Sequence, residues 1–137
     1  MPSLRTAMNA SASALDVQRA RLEVAVSNLA NAESTAGVNG GPYRRREVLL
    51  EAVPSEGGGG GFGVRVAAIV EDQSPFQRRF EPSHPQADAT GHIELPNVDV
   101  PMEMVDMLGA ARAYQANLAA IALIRETVQK ALEIGRG

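Results

Sequence analysis

Apolar residues recur every seven positions at both ends of the chain, and this spacing constrains the fold more than any other feature of the sequence. Near the N-terminus, one series consists of Met8, Leu15, Leu22 and Leu29, and a companion series of Leu4, Ser11, Gln18 and Ala25. A repeat of 3.5 residues per turn places such side chains on one narrow face of an α-helix, as in a coiled coil. The spacing predicts a first helix of about 28 residues, roughly 42 Å long.

The C-terminal part carries the same repeat more strongly. One series consists of Met107, Tyr114, Ile121 and Val128, and the other of Met104, Ala111, Leu118 and Leu132, interrupted by Arg125. Asp99 suits the N-cap position, and Pro101 and Glu103 suit the first turn. Gly135 and Gly137 are expected to stop the helix. The predicted second helix therefore runs from about Asp99 to Ile134.

The residues between the two helices lack a helical period. Short β-type runs at 43–53, 61–72, 76–82 and 91–95 are separated by Gly- and Pro-rich turn signals. The predicted fold is mainly α with a small β part. Two long terminal helices pack as a coiled-coil-like pair, and a short antiparallel β-hairpin and extended-loop region lies between them. The expected division of the chain is 1–35, 36–98 and 99–137.

Composition excludes several classes of function. The 137-residue chain has a formal net charge of −3, which argues against a nucleic-acid-binding protein. It contains no cysteine, so disulfides and thiolate metal sites are excluded. No uninterrupted run of roughly 18 apolar residues occurs, and the N-terminus lacks the apolar stretch of a cleavable signal peptide. We therefore expect neither a membrane-spanning helix nor a cleaved leader.

Two patterns with possible chemistry are weaker than their structural alternatives. The run Gly58–Gly63 fits G-x-G-x-x-G, but a β-type run follows it where a dinucleotide site needs a helix. A flexible hairpin loop, with the glycines 57–61 at its centre, is the better interpretation. His84, Asp88 and His92 could bind a metal ion if their loop curled, but a pair of loop histidines is usually part of a turn. We expect no catalytic, cofactor or metal site.

Two basic clusters, Arg44–Arg46 and Arg78–Arg79, fall in predicted strands. They are either charged edge strands exposed to solvent or contacts to an acidic neighbour. Nothing in the local sequence separates these two interpretations.

Both ends of the chain resemble the flagellar axial rod and hook family. The segment ALDVQRARLEVAVSNLANAEST (14–35) is similar to the N-terminal motif of that family, and NVDVPMEMVDMLGAARAYQAN (97–117) to its C-terminal motif. The stretch EPSHPQADATGHIELPNVDV (81–100) and the Pro-Tyr-Arg at 42–44 are typical of its proximal rod members. Only the glycine-rich stretch 54–63 has no counterpart in the family pattern.

The resemblance implies a non-enzymatic building block of the bacterial flagellar rod. Such subunits assemble with themselves and with other rod proteins through their terminal helices. They form a helical driveshaft that transmits torque in the periplasm and surrounds the export channel. The implied partners are other proximal and distal rod proteins, the MS-ring-linked rod adaptor, the rod cap with muramidase activity, and the flagellar type III export apparatus. Export without a cleavable signal, no nucleic acid and no direct membrane insertion are implied as well.

The expected assembly contacts lie on the two helices. On the first helix they are Leu15, Leu22, Val26, Asn28, Leu29 and Asn31. On the second helix they are Met104, Met107, Leu108, Arg112, Tyr114, Asn117, Leu118 and Ile121. Asn31 is expected to end the first helix in a left-handed conformation. Asn28, one turn earlier, is expected to bond a neighbour's backbone and fix the axial register. The alternative function is a soluble helical adaptor with an intramolecular coiled coil and a β insert.

Overall fold

The computed structural model describes residues 3–35, 40–55 and 60–137, and these residues form two long helices with four short strands between them. Helix α1 spans Leu4–Ala30 and helix α2 spans Val100–Arg136. The strands are β1 (Arg46–Pro54), β2 (Phe62–Glu71), β3 (Gln77–Phe80) and β4 (His92–Leu95). The predicted fold class is confirmed, and each predicted strand overlaps an observed one.

Helix α1 begins and ends with side-chain caps. The Ser3 hydroxyl oxygen accepts a hydrogen bond from the Thr6 N–H at 3.2 Å. At the other end Asn31 is the C-cap residue, and its Nδ2 donates to the carbonyl of Ser27 at 2.8 Å. Asn31 therefore ends the helix as predicted. The predicted left-handed conformation is wrong, since φ is −104° and the side chain itself satisfies a final carbonyl.

Helix α2 begins where the sequence predicts and ends later. Asp99 is the N-cap residue, and its carboxylate accepts a hydrogen bond from the Met102 N–H at 3.2 Å. Of the two glycines predicted to stop the helix, Gly137 is confirmed as the C-cap residue, whereas Gly135 does not stop it, because the helix continues to Arg136. A glycine ends a helix by adopting positive φ, and Gly135 does not adopt it. Its 37 residues give α2 a length of roughly 55 Å.

The two helices pack against each other in opposite directions, because the last turns of α1 and the first turns of α2 line one groove. The buried and half-buried side chains along the α1-facing side of α2 are Glu103, Met107, Ala110, Tyr114, Asn117, Ile121, Ile124 and Val128. The predicted Met107 series is thus confirmed. Of the predicted companion series, Met104, Leu118 and Leu132 are largely exposed, so they contribute little to the contact with α1, and their expected role as assembly contacts stays a prediction. Two series keep a heptad spacing beside the Met107 series, one containing Glu103 and Asn117 and the other containing Met104 and Leu118. The more polar series, with Glu103 and Asn117, is the one that packs against α1.

Strands β1 and β2 form an antiparallel hairpin that lies beside α1. Their pairing runs from Arg46 opposite Glu71 to Pro54 opposite Phe62. The Val64 N–H donates to the Ser13 hydroxyl oxygen at 3.2 Å, and a Cβ at Gly63 would lie 3.1 Å from that oxygen. Glycine therefore permits the hairpin to approach the helix closely. Of the glycines 57–61, predicted as the centre of a flexible loop, residues 57–59 lie outside the described residues.

Strands β3 and β4 form a second antiparallel pair, with Gln77 opposite Leu95 and Phe80 opposite His92. Ile93, Leu95 and Val98 from this region are buried. Together with Val17 and Ala25 of α1 and Ala110 of α2, they make up the buried apolar core of the described residues. This core is small for two helices of such length.

Helix α2 is the one helix of the described residues that is long and apolar enough, by length and composition, to cross a membrane. An 18-residue window within it has a mean hydropathy of 1.2, although polar residues interrupt the apolar run. The expectation that no helix of this chain spans a membrane stays a prediction. Core helices of soluble proteins pass the same test, so one such helix is weak evidence of a membrane span. Here only 6% of the window is buried.

Candidate assembly interface

A cluster of polar side chains joins the end of α1, the segment before β1 and the start of α2. We call it the polar junction, and it consists of Asn28, Tyr43, Arg45, Asn97 and Glu103. Asn28 has no exposed surface. Its Nδ2 donates to the carbonyl of Arg46 at 2.9 Å, and its Oδ1 accepts from the Arg46 N–H at 3.0 Å and from the Tyr43 hydroxyl at 2.8 Å. The amide therefore fixes β1 against α1 within one chain.

This arrangement corrects the prediction for Asn28. The sequence correctly suggests that its amide bonds a backbone, but the backbone belongs to the same chain and not to a neighbouring subunit. Because the residue is fully buried, it has no surface to offer a partner in this conformation.

Arg45 and Glu103 form the ion pair at the centre of the junction. Glu103 lies on the α1-facing side of α2 and its side chain is only 3% exposed. The Arg45 Nε donates to its carboxylate. Glu47, Asp72 and Asp106 also place carboxylate oxygens within 3.4–3.7 Å of the Arg45 guanidinium. A buried carboxylate is costly unless it is paired, so this contact anchors the first turn of α2.

The pKa shifts of the charged groups in the junction follow from the carboxylates that surround Arg45. Burial alone would lower the pKa of Arg45, but the hydrogen bond to Glu103 and the nearby carboxylates of Glu103, Asp72 and Glu47 outweigh it and raise that pKa. The hydroxyl and N–H of Ser74 donate to Asp72 and lower its pKa, and the positive charge of Arg45 acts in the same direction. Both groups are therefore held in their charged forms.

Asn97 connects the junction to the turn after β2. Its Oδ1 accepts a hydrogen bond from the Arg45 N–H at 2.8 Å. Its Nδ2 donates to the carbonyls of Asp72 at 3.0 Å and Ser74 at 3.1 Å. One amide thereby holds three separate segments together just before α2 begins.

The side of α2 that faces away from α1 is apolar and uncovered. We call it the outer surface of α2; its large apolar residues, all 49–65% exposed, are Met104, Val105, Leu108, Leu118 and Leu123. Val105 and Leu123 are separated by five helical turns, so they point in the same direction. Between Met107 and Ile124 the only charged residue is Arg112. A helix that is apolar on both sides normally has neighbours on both.

His84, Asp88 and His92, the residues considered as metal ligands, are used in a turn. The Asp88 carboxylate accepts hydrogen bonds from the N–H groups of Thr90 at 2.9 Å and His92 at 3.0 Å, and from Arg78 at 3.0 Å. Within the described ranges, no group of three His, Cys, Asp or Glu side chains is placed to hold a metal ion. The pattern therefore has a structural explanation, because Asp88 stabilises the connection between β3 and β4.

Comparison with known proteins identifies the family. Residues 89–134, which include nearly all of α2, match the family described as "Flagellar basal body rod FlgEFG protein C-terminal". The chain is 44% identical to flagellar basal-body rod protein FlgC of Salmonella typhimurium, over 90% of this chain and 92% of the relative. It is 41% identical to FlgC of Yersinia enterocolitica over 98% of this chain and 99% of the relative. For FlgC of Bacillus subtilis the values are 42%, 94% and 96%.

The chain belongs to the FlgC family of flagellar basal-body rod proteins.

In this FlgC-family chain the sequence motifs that carried the resemblance meet in space. Asn28 comes from the N-terminal motif, Tyr43 from the Pro-Tyr-Arg segment, and Asn97 and Glu103 from the C-terminal motif. All of them belong to the polar junction. The motifs therefore specify how the helices and the hairpin of one subunit are joined.

The residues expected at the assembly interface divide into two groups. Those that are half-buried or buried within the chain are Leu15, Leu22, Asn28, Leu29, Asn31, Met107, Tyr114, Asn117 and Ile121. Those that are exposed are Val26, Met104, Leu108, Arg112 and Leu118. The first group is partly or fully covered within the FlgC-family subunit, and the second group is exposed on it.

The sequence interpretation missed the Arg45–Glu103 pair. A usable signal was present, because Glu103 stands seven residues before Ala110 and fourteen before Asn117, on the side of the helix that packs. A charged residue on a packed side needs a partner of opposite charge. The basic cluster Arg44–Arg46 was therefore partly explained by an acidic neighbour in the same FlgC-family chain.

Proposed function

We propose that this chain is a structural subunit of the proximal part of the flagellar basal-body rod, and that it assembles with itself and with other rod components through its two terminal helices. Family membership supports the rod, because the relatives are named as basal-body rod proteins. In this proposal the subunits form a helical driveshaft around the export channel, in the periplasmic space. They reach it through the flagellar type III export apparatus.

The observation that carries the proposal is the amount of surface that the chain leaves exposed. Its accessible surface is 9323 Å², whereas a compact monomer of 14.5 kDa exposes about 6,900 Å². The difference of roughly 2,400 Å² is larger than a standard protein–protein interface. Much of the large apolar surface lies on the outer surface of α2. A subunit that completes its burial by packing against neighbours accounts for this surface.

The proposed interface with neighbouring subunits is the outer surface of α2 together with Val26 and Arg112. We propose as further partners the other proximal and distal rod proteins, the MS-ring-linked rod adaptor and the rod cap. The proposed division of the chain into a helix (1–35), a β region (36–98) and a second helix (99–137) is supported by the order of the elements.

We also propose that the chain has no enzymatic activity. The polar side chains of the junction hydrogen-bond to one another and to the backbone, which supports a role in holding the fold together. The Asp88 carboxylate is likewise engaged by its own turn.

The proposal is tested by placing a charge on the outer surface of α2. Leu118 is 51% exposed, so Leu118→Glu should leave the isolated chain folded, with an unchanged circular dichroism spectrum. It should abolish swimming and remove the chain from isolated basal bodies, because the charge would be buried between subunits. Leu118→Met is the matched control and should swim normally.

Normal swimming of the Leu118→Glu variant would contradict the interface. Absence of the wild-type chain from basal bodies would contradict the rod function itself. A compact chain that remains monomeric in its own cells would instead fit the helical adaptor.

A further inference from the structure

One face of the β1–β2 hairpin is apolar and points away from α1. We call it the outer face of the hairpin; by strand alternation and register it consists of Val48, Leu50, Ala52 and Pro54 of β1 and their partners Ile69, Val66, Val64 and Phe62 of β2. The opposite face lies on α1, since a Cβ at Gly63 would lie 3.1 Å from the Ser13 hydroxyl oxygen. On the outer face Phe62 is 67% exposed, Ile69 51% and Leu50 40%.

The charged residues of the hairpin are distributed in the opposite way to those of a free surface sheet. Glu47, Glu51 and Arg65 lie on the face toward α1, whereas the outer face has charges only at its base, where Arg46 is opposite Glu71. An antiparallel sheet with one solvated face normally turns its polar side to water. A hairpin with its apolar side uncovered therefore indicates a neighbour on that side.

The neighbour must be an apolar surface with few charges, because burial of an unpaired charge is costly. Three exposed surfaces of the chain carry too many. The exposed side of α1 carries Arg5, Asp16, Arg19, Arg21 and Glu23. The last turns of α2 carry Arg125, Glu126, Lys130, Glu133 and Arg136. In the β3–β4 pair, exposed Arg78 lies opposite exposed Glu94.

The outer surface of α2 meets this requirement. Between Met107 and Ile124 its one charged residue is Arg112, which forms no ion pair within the described residues. Val105 and Leu123 are roughly 27 Å apart along the helix, and the outer face of the hairpin is roughly 20 Å long. The residues exposed between its large side chains are small, so a hairpin can approach the helix closely; they are Gly109, Ala116, Ala119 and Ala122.

From these features we propose that the outer face of the hairpin of one copy packs on the outer surface of α2 of a second copy of this chain. Arg112 then needs a carboxylate, and the one carboxylate on the outer face is that of Glu71, which forms no ion pair within the described residues. Arg46 lies beside the junction, with its Cζ 5.9 Å from the centroid of the Tyr43 ring.

The area that the chain leaves exposed fits one repeated contact. Because the two surfaces differ, the contact is heterologous, continues from copy to copy and covers both surfaces in each copy. The excess exposed surface of roughly 2,400 Å² exceeds the roughly 1,600 Å² of a standard interface. Two outer faces packed on each other would instead close a dimer and leave α2 uncovered. The inference rests on the proposed rod function and names the surface that covers α2.

Disulfide cross-linking between two variants tests the contact, because the chain contains no cysteine of its own. Cells that make the protein express Glu71→Cys in one copy and Arg112→Cys in a second, epitope-tagged copy, and are then oxidised. A product with one tagged and one untagged chain forms only between copies whose two positions are adjacent. The control uses Leu49→Cys, on the α1-facing side of the hairpin and 45% exposed, in place of Glu71→Cys. We expect at least about fivefold less product from the control.

Substitutions on the two faces of the hairpin provide a second test. Ile69→Lys should keep the circular dichroism spectrum of the isolated chain, because Ile69 is 51% exposed, and should be lost from isolated basal bodies. Leu49→Lys is the matched control and should be retained. Glu71→Arg or Arg112→Glu alone should lower the amount of chain in basal bodies about fivefold, and the two together should restore it.

Equal product from the control pair, or retention of Ile69→Lys in basal bodies, would overturn the inference. Loss of Ile69→Lys without any mixed product would overturn it as well, because a different rod protein would then cover the hairpin. If Ile69→Lys does not fold, the cysteine pair decides. If Leu118→Glu is lost from basal bodies while Ile69→Lys is retained, only this contact fails and the rod function stands.

Discussion

Asn28 illustrates how a single buried amide can define the geometry of a subunit. It uses one donor and one oxygen to satisfy both main-chain groups of Arg46, and the same oxygen accepts from the Tyr43 hydroxyl. Helix α1 and strand β1 can meet in only one register while all three bonds are made. Asn is a poor residue for the interior of a helix, so its presence one turn before the C-cap reflects this tertiary contact.

We expect Asn28→Ala to lower the free energy of unfolding of the isolated chain by about 2–3 kcal/mol, because it leaves the main-chain N–H and C=O of Arg46 without the partners they have in the fold. Urea denaturation followed by circular dichroism measures this change. Asn9→Ala on the exposed side of the same helix is the matched control, and it should change stability by less than about 0.5 kcal/mol. If the Asn28→Ala variant unfolds like the wild type but fails to assemble, Asn28 acts between subunits, as the sequence suggested, and not within one chain.

At the scale of elements, the sequence predicts more of the fold than of its packing. The positions of Asp99 and Asn31 as caps and the four strands follow from local patterns, since capping and turn signals act over a few residues. Which side of α2 packs against α1 does not follow from such local patterns. Met104 and Leu118 are apolar and exposed, whereas Glu103 and Asn117 are polar and lie on the packed side. Only the partner residues across the fold, such as Arg45, determine that choice.

The turn between β3 and β4 is expected to depend on pH through Asp88. Hydrogen bonds from the Thr90 hydroxyl, the His92 N–H, the Thr90 N–H and Arg78 hold its pKa well below the usual range. A carboxyl group with a lowered folded-state pKa stabilises the fold at pH values above its unfolded pKa of about 3.9. That contribution is lost as the pH falls through the lower, folded value.

We therefore expect the wild-type chain to lose more stability between pH 6 and pH 2 than an Asp88→Asn variant does. Unfolding by urea at both pH values, with the amide resonances of Thr90 and His92 as local probes, measures the difference. Glu94→Gln, on the adjacent strand and without these hydrogen bonds, is the control and should keep the wild-type pH dependence. Parallel pH curves for wild type and Asp88→Asn would show that the carboxylate does not hold the turn.

The whole molecule is an elongated helix pair whose stability is concentrated at one end. The polar junction, the buried Ala25 and Ala110 and the start of β1 all lie where α1 ends and α2 begins. The opposite end consists of the first turn of α1, where Gly61 of the hairpin lies against Thr6, and the overhanging turns of α2; Leu4, Leu132 and Ile134 are 50–81% exposed there. A subunit of this form can keep one end folded while the other end orders on docking.

This asymmetry predicts a gradient of amide hydrogen exchange along α2 in the dilute, isolated chain. Amides from Met107 to Tyr114, near the junction, should be protected at least about 100-fold more than those from Lys130 to Arg136, because local opening of an uncovered helix end costs little free energy. In isolated basal bodies the same terminal amides should become protected, since neighbouring subunits then cover them. Uniform protection of both helices in the dilute monomer would contradict this account, because the chain would then need no neighbour to complete its fold.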